Sequence, residues 1–148
     1  MKFTNILVPV SGISADEESL HLALQIARQD KAKTMAIHVI EVQRNLPVDA
    51  EATTQLERGE KILAHAEQVA KNAKGSIEVE LLQARSAGAA LVNEARERKV
   101  DLIVVGAPCR NPLGEFVLGM TTLYLLKNAP CRVWVCRELP RDDSGKPA

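Results

Sequence analysis

The sequence predicts a doubly wound α/β domain, in which a parallel β-sheet lies between two layers of helices. Apolar runs of strand length alternate with longer amphipathic stretches, in the order β-α-β-α-β-α-β-α-β. The runs at 3–10 and 102–105 are mostly apolar, as are strands buried on both faces of a parallel sheet. Because crossovers between parallel strands are right-handed, helices are expected on both faces.

The first half of the chain predicts three strands and two helices. Ser14 and Glu17 form a capping-box pattern, S-x-x-E, at the start of the first helix. We interpret Asp16 as an acid stabilised by the helix dipole rather than as part of an acidic site. Gly75 is expected to end the second helix. The predicted ranges are strand 3–10 with Pro9 at its end, helix 14–28, strand 34–42, helix 52–74 and edge strand 76–83.

The second half predicts two helices, two strands and a tail. Ser86 is expected to cap the third helix. Strand 102–105 leads through a loop with Gly106 into a helical pattern over 116–127, and a last strand lies within 131–137. The polar residues that follow cannot bury much surface. We therefore expect one domain over 1–138 and a flexible tail over 139–148.

Composition and charge exclude several classes of function. Basic and acidic residues number 19 each, and aromatic residues make up 3% of the chain. A zero net charge and few aromatic side chains argue against a groove that binds nucleic acid. No apolar run approaches the ~20 residues that a membrane helix needs. We therefore expect no nucleic-acid partner and no membrane segment.

The cysteines and histidines predict neither disulfides nor a metal site. Three cysteines without an export signal are typical of reduced thiols, so we expect a cytoplasmic location. The three histidines, His21, His38 and His65, are scattered, and no histidine and cysteine group has metal-ligand spacing.

The region from Gly106 to Val135 resembles the universal stress protein family. That family has a loop of the form G-x-x-G-x9-G-S/T, followed by a helix and an "APCPV"-like turn. Gly106 and Gly119 match two of the glycines, and NAPCRVWV matches the turn and the last strand. Near the N-terminus, ILVPVSGI is similar to the family's ILVPVDGS. The resemblance implies a Rossmann-like fold of the adenine nucleotide alpha hydrolase type, with three layers and strand order 3-2-1-4-5.

The resemblance also implies a nucleotide site at the tips of the first and fourth strands. Three alternatives remain open within it. Val39 packs either on an adenine or in the core, Arg110 either reaches a phosphate or lies in solvent, and the two threonines supply either a hydroxyl or a helix cap. The implied site residues are Pro9, Ser11, Gly12, Val39, Gly106, Cys109, Arg110, Gly119, Met120, Thr121 and Thr122.

Three positions of this site depart from the family pattern. Cys109 stands for the second glycine, Met120 for the Ser/Thr and Ser11 for an aspartate. Cysteine resists positive φ, Met120 replaces a hydroxyl donor with an apolar thioether, and Ser11 is shorter than aspartate and uncharged. At ~1 kcal/mol each, the three would weaken binding about a hundredfold. ATP or AMP is the ligand that the resemblance allows, and no cofactor is firmly implied.

We therefore expect a stress-response regulatory module that acts through contacts with an unidentified protein. The alternative is an ATP- or AMP-binding sensor with a rebuilt phosphate loop. An ATPase, or a redox enzyme using Cys109, is the least favoured hypothesis, because the loop has no placed general base and no carboxylate pair for a metal. We expect no catalytic residues.

The last strand predicts a homodimer. In the family, the final strands of two subunits pair antiparallel, and this strand is expected at an exposed sheet edge. Trp134 is either an interface anchor or a core residue packed under a helix. The residues of this edge alternate between two faces, with Arg132, Trp134 and Cys136 on one and Val133 and Val135 on the other.

Overall fold

The computed structural model describes residues 1–47, 53–109 and 113–140. In these ranges five strands alternate with four helices, as the sequence predicts. The elements are β1 (Asn5–Pro9), α1 (Ala15–Asp30), β2 (Lys33–Glu41), α2 (Thr53–Asn72), β3 (Glu78–Ala84), α3 (Ala87–Glu97), β4 (Leu102–Ala107), α4 (Met120–Asn128) and β5 (Arg132–Arg137).

The described strands form one parallel sheet of order β3-β2-β1-β4-β5, which confirms the predicted fold class. The central strand β1 pairs with β2 on one side and with β4 on the other, so that Leu7 lies opposite both Met35 and Ile103. Strands β3 and β5 are the two edges. The chain reverses direction across the sheet between β1 and β4, and ligands of open α/β sheets bind at this switch point.

Alternate residues of the sheet supply two hydrophobic cores, which explains why the strands are apolar on both faces. Ile6 and Val8 point to a core shared with Leu20 of α1 and Leu63 of α2. Leu7 points to the opposite core, with residues of α3 and α4. The central strands are thereby held from both sides, and their carboxyl tips form a fixed edge.

Two predicted helix starts differ from the structure. Ser14 has helical backbone angles (φ −58°, ψ −33°) and makes no capping bond, so the predicted capping box does not form. Helix α4 begins at Met120 rather than at 116, because Gly119 is extended (φ −65°, ψ 156°) and becomes the N-cap. The predicted cap at Ser86 is confirmed, since its side chain accepts a hydrogen bond from the Ala89 N–H.

A lysine in the left-handed conformation lies one or two residues beyond the end of each of helices α1, α2 and α3. Lys31, Lys74 and Lys99 have φ of 58°, 57° and 53°. After each of them, an N–H bonds to the carbonyl five residues earlier, as in a Schellman motif; for α2 this bond joins Gly75 N to Ala70 O at 2.8 Å. Gly75 was predicted to end α2, but the left-handed residue is the lysine before it.

Replacing Lys99 with glycine should stabilise the protein. Left-handed backbone costs a lysine about 1–2 kcal/mol, whereas glycine adopts it freely and loses only about 0.5–1 kcal/mol of chain entropy. We expect Lys99→Gly to raise the unfolding free energy in urea by up to about 1 kcal/mol. Lys71→Gly, inside α2, is the matched control and should lower it by about 1 kcal/mol. If both variants lose the same unfolding free energy, Lys99 is not strained in its left-handed conformation.

Candidate ligand-binding crevice

A cavity of about 430 Å³ lies at the switch point, between the tips of β1 and β4. It is bounded by the end of β2 and by the starts of α3 and α4. Its walls are mainly apolar, and they include Ile37, Leu91 and Val105. The predicted site residues that line it are Pro9, Ser11, Val39, Gly106, Gly119, Met120, Thr121 and Thr122.

The structure does not bring all of the predicted residues to this cavity. Gly12 has φ +85° and faces α2, where a Cβ would lie 2.9 Å from the side chain of Ile62. Cys109 follows the tip of β4 and is not among the residues that line the cavity. Arg110 lies outside the described residues, so its predicted role stays a prediction.

Gly106 is required by packing against α1. A Cβ at this position would lie 2.4 Å from the Ala15 carbonyl oxygen, which is closer than atoms can approach. The tip of β4 thus rests directly on the first turn of α1. The first glycine of the loop pattern therefore has a structural reason that needs no ligand.

The loop between β1 and α1 is bound by the Asp16 carboxylate. This carboxylate accepts hydrogen bonds from the N–H groups of Ser11, Gly12 and Ile13, the shortest being 2.7 Å from Gly12. Asp16 is only 5% exposed. Burial raises its pKa above the ordinary value of 3.8, and the three N–H groups and His38 offset part of this rise. Asp16 lies in the first turn of α1, as predicted, but its hydrogen bonds go to the loop.

A second carboxylate, that of Glu138, holds the loop after β4. Its Oε1 accepts from the Cys109 N–H at 3.1 Å, and its Oε2 accepts from the Ser14 hydroxyl at 2.7 Å. The Glu138 N–H donates to the Ala107 carbonyl and continues the β4–β5 ladder. Sequence analysis assigned Glu138 to the end of the domain and gave it no role.

Cys109 escapes the backbone strain that the sequence suggested. Among the described residues other than glycine, those with positive φ are Lys31, Lys74 and Lys99, so Cys109 does not adopt the left-handed conformation. The Arg137 guanidinium lies 3.1 Å from its Sγ. The backbone at Cys109 therefore accommodates a side chain, and the Cys109 N–H donates to Glu138.

The sequence did not indicate three further polar residues that lie at or near the rim of the cavity. The buried His38 donates from Nδ1 to the Val10 carbonyl at 2.8 Å. Glu41, the last residue of β2, accepts from the Ala87 N–H at the start of α3. Arg58 of α2 donates to the Ser11 carbonyl at 3.2 Å. The alternation of β2 could have identified Glu41 at a strand tip, but Arg58 depends on how α2 packs.

The N-terminus of α4 remains open to the cavity. Its N-cap, Gly119, has no side-chain acceptor, so neither threonine takes the capping role left open above. Met120 is 84% exposed, Thr121 is half-buried and Thr122 is buried. Free N–H groups in the first turn of a helix favour an anion. The cavity therefore combines apolar walls with one position suited to a negative charge.

No three histidine, cysteine, aspartate or glutamate side chains within 1–47, 53–109 and 113–140 converge on a point that could hold a metal ion. In the same ranges, no helix combines the length and apolar character needed to cross a membrane.

The sheet order and the crevice define a doubly wound α/β protein of the kind that binds ligands beyond the carboxyl ends of its strands. The sequence profile of the universal stress protein family matches residues 2–137, and the chain belongs to this family. A universal stress protein of Methanocaldococcus jannaschii is 28% identical over 142 residues, covering 92% of this chain and 83% of that protein. The predicted family is thereby confirmed.

Solved structures agree with the fold. The universal stress protein UspA of Lactobacillus plantarum is 28% identical, with a TM-score of 0.68 over 93% of this chain and 99% of that one. One from Archaeoglobus fulgidus, in complex with dAMP, is 18% identical, with a TM-score of 0.72 over 91% and 98%. A family member in complex with cAMP has a TM-score of 0.71 at 23% identity, and one from Arabidopsis thaliana with AMP bound has 0.64 at 16%.

The titration of Asp16 should make stability depend on pH. Because its pKa is raised in the folded state, its contribution to stability is full below pH 3.8 and is lost as pH rises through the folded-state pKa. Asp16→Asn removes this titration. The unfolding free energy of wild type minus that of Asp16→Asn, from urea titrations at a series of pH values, should therefore fall from pH 3.8 upwards.

Asp101 provides a control of opposite sign. Burial raises its pKa, but hydrogen bonds from the Asn5 N–H, the Thr4 N–H and the Thr4 hydroxyl outweigh this, and the net pKa lies below 3.8. Its contribution is present above pH 3.8 and is lost as pH falls through the folded-state pKa. The unfolding free energy of wild type minus that of Asp101→Asn should therefore grow with rising pH. Parallel curves for both variants would contradict the assignment.

Proposed function

We propose that this universal stress protein is a regulatory module of the stress response that acts as a homodimer through protein contacts, with a degenerate nucleotide site and no enzyme activity. Among the described strands β5 pairs with β4 alone, and its unpaired edge is the observation that carries the proposal. Because Glu138 N–H donates to Ala107 of β4, alternation points the N–H groups of Val133, Val135 and Arg137 away from β4. Such an edge can pair with the same edge of a second copy.

The surface beside this edge is apolar. The outward face of α4 exposes Met120, Leu123 and Leu126. Trp134 is 36% exposed, and its ring meets that of Phe3 edge-on, with centroids 5.4 Å apart. A partly exposed tryptophan whose ring orientation is fixed by a buried phenylalanine is suited to a protein interface. Exposed apolar side chains next to an unpaired strand favour a protein partner over solvent.

A proline at the edge should weaken the dimer. Val135→Pro removes an N–H that points away from β4, so the hydrogen bonds between β5 and β4 remain. Because the interface is two-fold, both subunits lose this donor. At about 1 kcal/mol per hydrogen bond, the dimer dissociation constant in sedimentation equilibrium should rise at least about tenfold. Val135→Ala, which loses similar packing but keeps the N–H, should dimerise like the wild type. A wild-type protein that is monomeric at about 100 μM would refute the dimer.

The second candidate is a sensor that binds an adenine nucleotide in the crevice. Related structures were solved with dAMP, cAMP and AMP. In this chain the apolar walls offer a surface for a base, and the open N-terminus of α4 offers a position for a phosphate. Val39 lies on the cavity wall, where it can contact a base.

Several contacts of this chain work against tight binding. The N–H groups of the β1–α1 loop are taken by Asp16, and the Ser11 carbonyl is taken by Arg58. Ser11 is shorter than the aspartate of the family pattern and carries no charge. Met120 places a thioether where the pattern has a hydroxyl. These contacts support a weak site rather than a constitutive cofactor site.

Restoring the pattern should strengthen AMP binding. Ser11→Asp, Cys109→Gly and Met120→Ser together restore the pattern at all three positions. The two changes on the cavity wall, at Ser11 and Met120, should tighten binding about thirtyfold at ~1 kcal/mol each. Cys109→Gly should add little, because Cys109 is not left-handed and does not line the cavity. The melting temperature with AMP should rise more in this variant than in the wild type. Inorganic phosphate at the same ionic strength controls for anions in general. A large AMP shift in the wild type, unchanged in the variant, would contradict the degenerate site.

A further inference from the structure

We propose that the amino edge of the sheet, opposite the crevice, is a cationic face that binds the surface of a bilayer containing acidic phospholipids. The amino edge is defined as residues 1–5 and the segments from the last turn of each helix to the first residue of the next strand. These segments are 27–33, 69–78, 94–102 and 125–132. Because the strands are parallel and each helix runs back against them, the segments meet at one edge.

Charge is unevenly distributed in this protein, although its net charge is zero. The amino edge contains eleven of the 19 lysine and arginine residues but only five of the 19 aspartate and glutamate residues, which gives it a net charge of +6. The rest of the chain therefore carries a net charge of −6. A net charge taken over the whole chain conceals this separation, because the separation depends on topology.

The helix termini account for part of this positive charge. Lys31, Lys74 and Lys99 follow the last residues of α1, α2 and α3, where the helix dipole favours cations. Each helix C-terminus is equivalent to about −0.5 of a charge, so the four helices together offset about two positive charges. The remaining positive charge exceeds what the helix dipoles can balance.

Most of these cations have no acidic partner. The seven lysines of the amino edge are all exposed. Within the described part of the chain, the ion pairs at this edge all involve Arg98, which contacts two glutamates. Asp30 and Asp101 instead accept hydrogen bonds from backbone N–H groups of residues 3–5. The lysines are therefore available to an external anion.

The cations are arranged over a surface rather than along a line. Lys31 and Lys74 lie at the ends of helices on one side of the sheet, and Lys99 and Lys127 at the ends of helices on the other. Lys33 begins a strand of the sheet between them. A face charged in two dimensions matches a bilayer of acidic lipids, whose negative surface potential attracts clusters of lysine and arginine.

Nucleic acid is a weaker assignment for this edge. Its one aromatic residue in the sequence is Phe3, which is buried, so no ring is placed to stack on a base. Seven of its eleven cations are lysines, which act as hydrated point charges, whereas arginine pairs bidentately with phosphate. The composition of the edge therefore favours a diffuse potential over contacts with individual nucleotides.

A variant carrying Lys31→Gly, Lys74→Gly and Lys99→Gly tests this face. Glycine adopts the left-handed backbone of these positions freely, so the variant removes three charges and should keep its fold. Binding is measured by co-sedimentation with vesicles of phosphatidylcholine, alone or with about a third phosphatidylserine, at about 20 mM and about 500 mM NaCl. The wild type should bind only the acidic vesicles, and only at low salt. At about fivefold per lysine, the variant should bind them at least about tenfold more weakly.

The matched control removes three charges from the other end of the molecule, with Arg44→Gln, Lys61→Gln and Arg85→Gln. Arg44 and Arg85 follow the carboxyl ends of β2 and β3, Lys61 lies beside the tip of β1, and all three are exposed. The control should change the affinity for acidic vesicles by less than about threefold. If both triple variants lose the same affinity, the effect is one of net charge, and the role of the amino edge is overturned.

The same measurements contain two further outcomes that would overturn the proposal. One is a wild type that does not bind acidic vesicles at low salt, or binds phosphatidylcholine alone as tightly. The other uses a DNA duplex of about 30 base pairs, at the same concentration of phosphate, as a third probe. If the duplex binds more tightly than the vesicles, the partner of this edge is nucleic acid. Melting temperatures show whether each variant is folded.

Discussion

The carboxyl edge of this sheet is held together by the protein's own carboxylates. Asp16 binds the three N–H groups of the β1–α1 loop, Glu41 binds the start of α3, and Glu138 binds the loop after β4. These loops carry unpaired N–H groups because strands and helix starts leave donors unsatisfied. In many α/β proteins a bound anion meets such donors. Here the protein's own acids meet the described donors of these loops.

This arrangement explains why the loop pattern can lose residues and keep its fold. Gly106 remains because its packing on Ala15 leaves no space for a side chain. Cys109 is tolerated because its backbone is not left-handed and its N–H has a partner in Glu138. A motif position is therefore retained or lost for its own local reason. The presence of one glycine says little about whether the neighbouring position still serves a phosphate.

The sequence predicts the architecture well because the central strands β1 and β4 are apolar on both faces and the helices between the strands are amphipathic. It predicts Ser86 as a cap from a local pattern, but it fails at Ser14, whose hydroxyl bonds to Glu138, 124 residues away in the chain. Arg58 and Glu138 escaped notice for the same reason. Their partners, Ser11 and Cys109, come near only after the helices pack. Sequence periodicity carries no information about such distant pairs.

The last strand connects the two proposed activities. Alternation along β5 directs one set of N–H groups outwards, to a free edge, and the other set to β4. Glu138 continues the set that faces β4 and places its carboxylate on the loop after that strand. A partner that pairs with the outer set would therefore contact the segment whose next residue, Glu138, holds the loop after β4. A change in the twist of β5 would then reach that loop.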